Sequence, residues 1–123
     1  TKIEIETSGY QSEPIAGVYL RIGDLNGHPH FSSPQGTSHL YYNKNPSGTY
    51  RGNWVVADAV NTAHRAFAES AATSPELVTT PWKVWVDKWE LDRTMRVTCR
   101  HSNDDGHKAL VVHDGCTDGA LFQ

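Results

Sequence analysis

The stretch Pro81-Trp82-Lys83-Val84-Trp85-Val86-Asp87-Lys88-Trp89-Glu90-Leu91 carries the densest pattern in the chain. Trp82, Val84 and Val86 share one parity, which is the two-residue period of a strand and not the 3.6-residue period of a helix. Asp87-Lys88 interrupts the run, and Trp89 and Leu91 follow it. A two-residue turn there sets Val86 opposite Trp89 and pairs Trp with Val side chains across a hairpin. An aromatic and β-branched hairpin of this kind predicts an antiparallel β fold.

The same signal continues on both sides. Downstream, residues 94–100 alternate, Asn103-Asp104-Asp105-Gly106 supplies turn chemistry and residues 109–112 return, which predicts a C-terminal hairpin over 94–113. With that turn as centre, Cys99 lies opposite Leu110 and not opposite Cys116. Upstream, Thr73-Ser74-Pro75-Glu76 has a capping residue, a proline at the first helical position and an acid in the first turn, enough for one helical turn near residues 74–78. Residues 61–72 are rich in alanine, yet Phe67 is their one large apolar side chain. That is too narrow a stripe for an amphipathic helix, so strand or irregular chain is expected, with a short helix as the alternative.

Further upstream, residues 50–57 centre on Trp54-Val55-Val56, and residues 39–42 form an aromatic run ended by Asn43-Lys44-Asn45-Pro46-Ser47-Gly48. Residues 16–22 set Val18, Leu20 and Ile22 on one face, and Asn26-Gly27 turns the chain into residues 28–31. Ile3 and Ile5 share one side of residues 1–7, an edge or entry strand. Short strands at this regular spacing predict a single all-β domain over residues 1–123, an antiparallel sandwich or small barrel of about eight strands.

Composition narrows the partners. Eleven basic against 14 acidic side chains give a formal charge of −3, without the positive field that a phosphate backbone requires, so no nucleic-acid partner is expected. No apolar run approaches the roughly 18 residues of a membrane span. The chain begins Thr1-Lys2-Ile3 without an initiator Met or a leader and reads as a processed form or an excised segment. Cys99 and Cys116 enclose 16 residues, a loop whose closure by a disulfide is worth roughly 3 kcal/mol, and an even cysteine count in a small domain favours an oxidising compartment.

Candidate chemistry is sparse. Cys99, His101, His107, His113 and Cys116 cluster in the last quarter, and Cys99, His101, His107 and Cys116 are the alternative metal ligands of a small zinc-dependent hydrolase. Their spacing matches none of the compact ligand pairs that sit on one tight turn, so no metal and no cofactor are expected. His28-Pro29-His30 reads as a strand end, and Asp104-Asp105 lacks the remaining acids of a calcium loop. Serines such as Ser70 and Ser102 lack a nucleophile-elbow setting. The aromatics remain: 4 Trp, 5 Tyr and 3 Phe. Adjacent strand residues face opposite ways, so some of these rings lie on the outer face, where planar side chains make good contact surfaces.

A set of ordered motifs resembles a known module: Ala16-Gly17-Val18-Tyr19, Asn26-Gly27-His28-Pro29-His30-Phe31, Leu40-Tyr41-Tyr42, Trp54-Val55-Val56, Ser70, Ser74-Pro75, Val78 and Trp82-Lys83-Val84-Trp85. Over residues 16–92 the chain is similar to a short Trp/Tyr-rich β module found singly or in tandem in large proteins of algae and other protists. That module reads Gly-x-Tyr, Asn-Gly-Arg-Pro-x-Tyr, Tyr-Leu-Tyr-Tyr, Trp-x-Ile, Ser, Pro and Trp-x-Val-Trp. Here His28 stands for its Arg, Phe31 for its Tyr and Val56 for its Ile. The resemblance implies a non-catalytic β module used in binding or assembly, in an algal setting a lumenal accessory subunit of a photosynthetic complex.

The functional expectation is therefore a non-enzymatic module that contacts another protein or a larger assembly, at a cell surface or in an organelle lumen and not in the cytosol. Tyr41, Trp85 and Trp89, with the loop over residues 32–38, are its expected contacts. The alternative partner is a glycan, held by aromatic stacking with the amides of Asn26, Asn43 and Asn45.

Overall fold

The computed structural model describes residues 2–8, 15–44 and 52–100. The fold is all-β, with strands β1 (Lys2–Glu6), β2 (Gly17–Leu25), β3 (His28–Ser32), β4 (His39–Asn43), β5 (Asn53–Ala57), β6 (His64–Glu69), β7 (Trp82–Trp85), β8 (Trp89–Asp92) and β9 (Arg96–Arg100). They form one sheet in the order β8-β7-β6-β5-β4-β3-β2-β1-β9, antiparallel at every pair, curled into a half-barrel. A 3₁₀ turn (Pro75–Leu77) follows β6, with Pro75 at its start as expected; the Ser74 hydroxyl turns to Glu76 Oε1 at 2.5 Å and does not cap the turn.

Strand directions explain how the sheet ends meet. Alternation along the meander makes β8 run opposite to β1, and β9 also runs opposite to β1, so β8 and β9 point the same way. Only Arg93, Thr94 and Met95 separate them. Two parallel strands cannot lie side by side on so short a link, so β9 continues where β8 stops, displaced along the strand axis. The chain thus leaves one edge of the sheet beside β7 and joins the other edge beside β1, and this split path closes the curl.

Asp92 anchors the jog. Its carboxylate accepts from the Thr7 hydroxyl, from Thr94 Oγ1 at 2.5 Å and from the Thr94 amide at 2.9 Å, while Thr94 Oγ1 also accepts the Ser8 amide at 2.9 Å. The side chain is buried, and burial by itself raises its pKa. The hydrogen bonds from Thr7, Thr94 and the Met95 amide outweigh that and hold the carboxyl below its ordinary value.

The inner face carries the core. Ile3, Tyr19, Phe31, Leu40, Tyr42, Trp54, Val56, Trp82 and Val84 point inward, joined by Ala66 and Ala68. The alanines have a packing reason: Ala68 lies opposite Trp54, and Ala66 lies opposite both Val56 and Val84, so small side chains leave room for an indole and two valines. Residues 64–69 are accordingly a strand, not a helix. The Trp54 indole N–H finds Ala72 O at 2.9 Å, which removes the cost of its complete burial.

Three expectations change. β1 is not an edge strand, because β9 covers its far side. On β2, Tyr19 and not the Val18-Leu20-Ile22 set points inward, since Tyr19 pairs with inward Ile3; a bulge between Arg21 and Gly23 then shifts the register, and Leu20 and Ile22 face solvent. The β7–β8 loop has three residues, Val86-Asp87-Lys88, with Asp87 at φ 77° and Trp85 opposite Trp89. Asp-Lys is poor chemistry for a two-residue turn, whereas one residue in the left-handed region closes a three-residue loop. Of the predicted hairpin over 94–113, β9 is seen; its return lies outside the described residues.

Candidate binding face

The outer face of the sheet bears a row of side chains that runs across β4 to β8. Register places Tyr41 beside Val55, Val55 beside Phe67 and Phe67 beside Lys83, with Leu91 beyond. At the β4 end this row is covered: Tyr41, Val55 and Ala57 are buried under Leu25, Val60 and Phe67. Tyr41 is 0% exposed, and its hydroxyl accepts the Asn61 amide at 3.0 Å. Tyr41 does point away from the main core, as expected, but it is a buried anchor for the β5–β6 connection and not a contact residue. The connection folds back over the ring, something parity alone does not reveal.

At the β8 end the row is bare. Trp85, Trp89 and Leu91 are 45%, 39% and 48% exposed. The two indoles are direct cross-strand partners with centroids 5.2 Å apart at 69°, and Trp89 meets Phe67 edge-on at 4.8 Å and 88°. Lys83 Nζ lies 5.8 Å from the Phe67 centroid, and Lys88 Nζ is 3.8 Å from Glu90 Oε2. The rings are therefore braced against one another before any ligand arrives, with charged groups around them. Such a cluster keeps rotamer loss small on binding, and Trp is the residue most favoured at the energetic centres of protein interfaces.

The structure brings Trp85 and Trp89 together and leaves the other expected contacts elsewhere. Asn26, at φ 56° in the β2–β3 turn, spends its amide N–H on Tyr42 O at 2.8 Å. Asn43 sits at the end of β4 opposite Asn53. Both are separated from the Trp pair by β5 and β6. The loop over residues 32–38 is knit internally: Ser33 Oγ accepts the Thr37 and Ser38 amides, and buried Ser38 meets the Tyr19 hydroxyl at 2.7 Å. Asn45, His101, His107, His113 and Cys116 lie outside the described residues. Cys99 is on β9 opposite Ile3, packed against the core.

Phe67, Lys83 and Leu91 complete the face and were not expected there. Leu91 was legible once the loop is counted as three residues, because Trp85, Trp89 and Leu91 then share one side. A histidine group lies on the same outer face nearer β3: His30 Nε2 and His39 Nδ1 are 3.0 Å apart, and His30 also meets Tyr41 edge-on. Burial first, and His39 second, push the His30 pKa below its ordinary value.

Among the described residues no helix is long and apolar enough to cross a membrane. Comparison with protein-family models, curated proteins and solved structures finds no match.

Proposed function

We propose that this protein is a non-catalytic binding module that contacts another protein through the Trp85–Trp89–Leu91 face of the β7–β8 hairpin. The observation that carries the reading is the joint exposure of three large apolar side chains on one edge hairpin, two of them indoles held against each other and against Phe67. Single exposed apolar residues need no explanation, but a braced cluster does.

The ring geometry favours a protein over a glycan. A sugar stacks on an open ring face, and neighbouring platforms serve an oligosaccharide best when their faces align. Here successive rings stand at 69° and 88°, so each offers an edge where its neighbour offers a face. Such an uneven apolar surface suits irregular side chains from a partner protein. The amides that a glycan site would call on lie elsewhere, Asn26 in the β2–β3 turn and Asn43 at the end of β4.

The reading includes an oxidising compartment, a cell surface or organelle lumen, with Cys99 joined to Cys116. An accessory subunit of a larger assembly is its concrete form. The test is affinity capture from extracts of the source cells, with the unaltered chain, Trp85→Ala, Trp89→Ala and the exposed-surface control Lys44→Ala compared. A partner held by the unaltered chain and by Lys44→Ala, and lost with either Trp variant, is expected. Capture indifferent to both Trp residues, or indole fluorescence quenched by a glycan, contradicts it.

A further inference from the structure

Two imidazoles face each other on the outer side of β3 and β4, with β5 and β6 between them and the Trp pair. Ser32 is the cross-strand partner of His39, so His30, two residues before Ser32, is the diagonal neighbour of His39 on the same face. His30 Nε2 and His39 Nδ1 stand 3.0 Å apart, with ring centroids at 5.2 Å and planes at 39°. Both strands are paired on both sides, and the buried Tyr41 ring meets His30 edge-on, so backbone and a fixed ring place the two imidazoles. Their neighbours are small. His30 lies opposite Gly23 on β2, where a β-carbon would meet nothing within 4 Å, and His39 lies opposite Ala57 on β5.

We propose that His30 and His39 form a two-histidine site for a divalent transition-metal ion, Cu²⁺ or Ni²⁺ ahead of Zn²⁺, with water in the remaining positions. Between two neutral imidazoles one N–H donates and one lone pair accepts, and the bridging proton occupies the place that an ion would take. Two nitrogens bound about 2.0–2.1 Å from one ion stand about 2.9 Å apart at a right angle and about 3.3 Å apart at the tetrahedral angle. The 3.0 Å spacing is therefore already a chelating one, reached by tilting the rings toward a common point, for which Gly23 leaves room beside His30. It lies nearer the right angle, the arrangement of tetragonal Cu²⁺ and Ni²⁺, and Cu²⁺ also heads the affinity order for nitrogen ligands. The donating ring moves its proton to its own second nitrogen, so both lone pairs face the ion and neither ring changes charge. Among the described residues no group of three or more His, Cys, Asp or Glu is placed to hold an ion, so the pair makes an open, exchangeable site and not a closed structural one. Sequence spacing does not reveal it, because the two residues are nine positions apart and meet only across strands.

Titration of the unaltered full chain with Cu²⁺ alone, followed by nuclear magnetic resonance, gives the first reading, since the paramagnetic ion erases signals close to it. At less than one equivalent, the signals of His30, His39 and Tyr41 are expected to vanish first; loss that begins at other histidines, or no loss, overturns the proposal. Calorimetric titration with Ni²⁺ supplies the second. One equivalent is expected to bind the unaltered chain and His28→Asn alike, and to bind His30→Asn and His39→Asn about tenfold or more weakly, because each removes one of two ligands. His28 is the control because it shares β3 while its ring stacks on Tyr42 instead. Binding unchanged in the His30 and His39 variants, or weakened equally by His28→Asn, overturns it. Should an asparagine variant fail to fold, the pattern of signal loss in the unaltered chain still decides.

Discussion

Asp92 holds its charge among apolar neighbours because four donors surround it, and that fixes how stability responds to acid. Folding lowers its pKa from 3.8, so the ionised carboxylate stabilises the fold fully above the unfolded value, and the contribution disappears as pH falls through the folded value. His30 and His64 also have pKa values depressed from 6.5, chiefly by burial; they favour the fold above that pH and cease to do so as pH drops through their folded values. Chemical denaturation followed from about pH 7 to about pH 2 should therefore show two declines, one beginning near 6.5 and one below about 4. Asp92→Asn should reduce the lower decline, leaving the part that belongs to Asp58, whose carboxyl the Arg65 guanidinium also holds below its ordinary value, and should cost about 2 kcal/mol at neutral pH, since hydrogen bonds to an ionised group are lost; a lower decline of unchanged size contradicts the assignment. Gly52 makes a second residue-level case. A β-carbon there meets Asn43 O and the Tyr42 hydroxyl at 2.6 Å, and Gly52 N donates to that hydroxyl. Gly52→Ala should destabilise by about 1–3 kcal/mol in thermal unfolding, because a backbone oxygen cannot step aside.

Elements were legible where side-chain parity alone decides them and illegible where a turn or a neighbour intervenes. The β5 stretch Trp54-Val55-Val56 and the β7 stretch Trp82-Lys83-Val84-Trp85 appear as strands in sequence and in structure. Residues 61–72 were read as strand or irregular chain, and β6 is a strand; what the sequence did not show is the reason for its alanines, the bulk of Trp54 opposite, which belongs to another strand. For β2 the pattern showed a strand but not which face turns inward, because Tyr19 is fixed by Ile3 and the bulge lies beyond any local signal. The candidate face was half legible: Trp85 and Trp89 were expected, while the burial of Tyr41 depends on a loop that returns from residue 61. Asp87 in the three-residue loop gives the element-scale prediction. Its φ of 77° costs a β-branched residue most, so Asp87→Val should lower stability by about 1–2 kcal/mol and Asp87→Gly should not. Equal melting temperatures for the two variants would place the turn elsewhere and undo the pairing of Trp85 with Trp89.

At the scale of the whole molecule, two features of the half-barrel carry the account. The β8–β9 jog leaves a groove lined by Val78, Trp82, Met95 and Val97, and the outer row of aromatic side chains, covered at β4, is left bare at β8. The second is assigned to a partner. Truncating either indole should weaken binding by at least about 2 kcal/mol if the pair is the energetic centre of the contact. The most direct measurement is site-directed photo-crosslinking in source-cell extract, with a photoreactive side chain at Leu91 and, as the comparison, at Leu20, an exposed apolar position on β2. A discrete protein adduct from position 91 that Trp89→Ala abolishes, with none from position 20, is the predicted result. No protein adduct at 91, or equal labelling from both positions, would contradict the binding face.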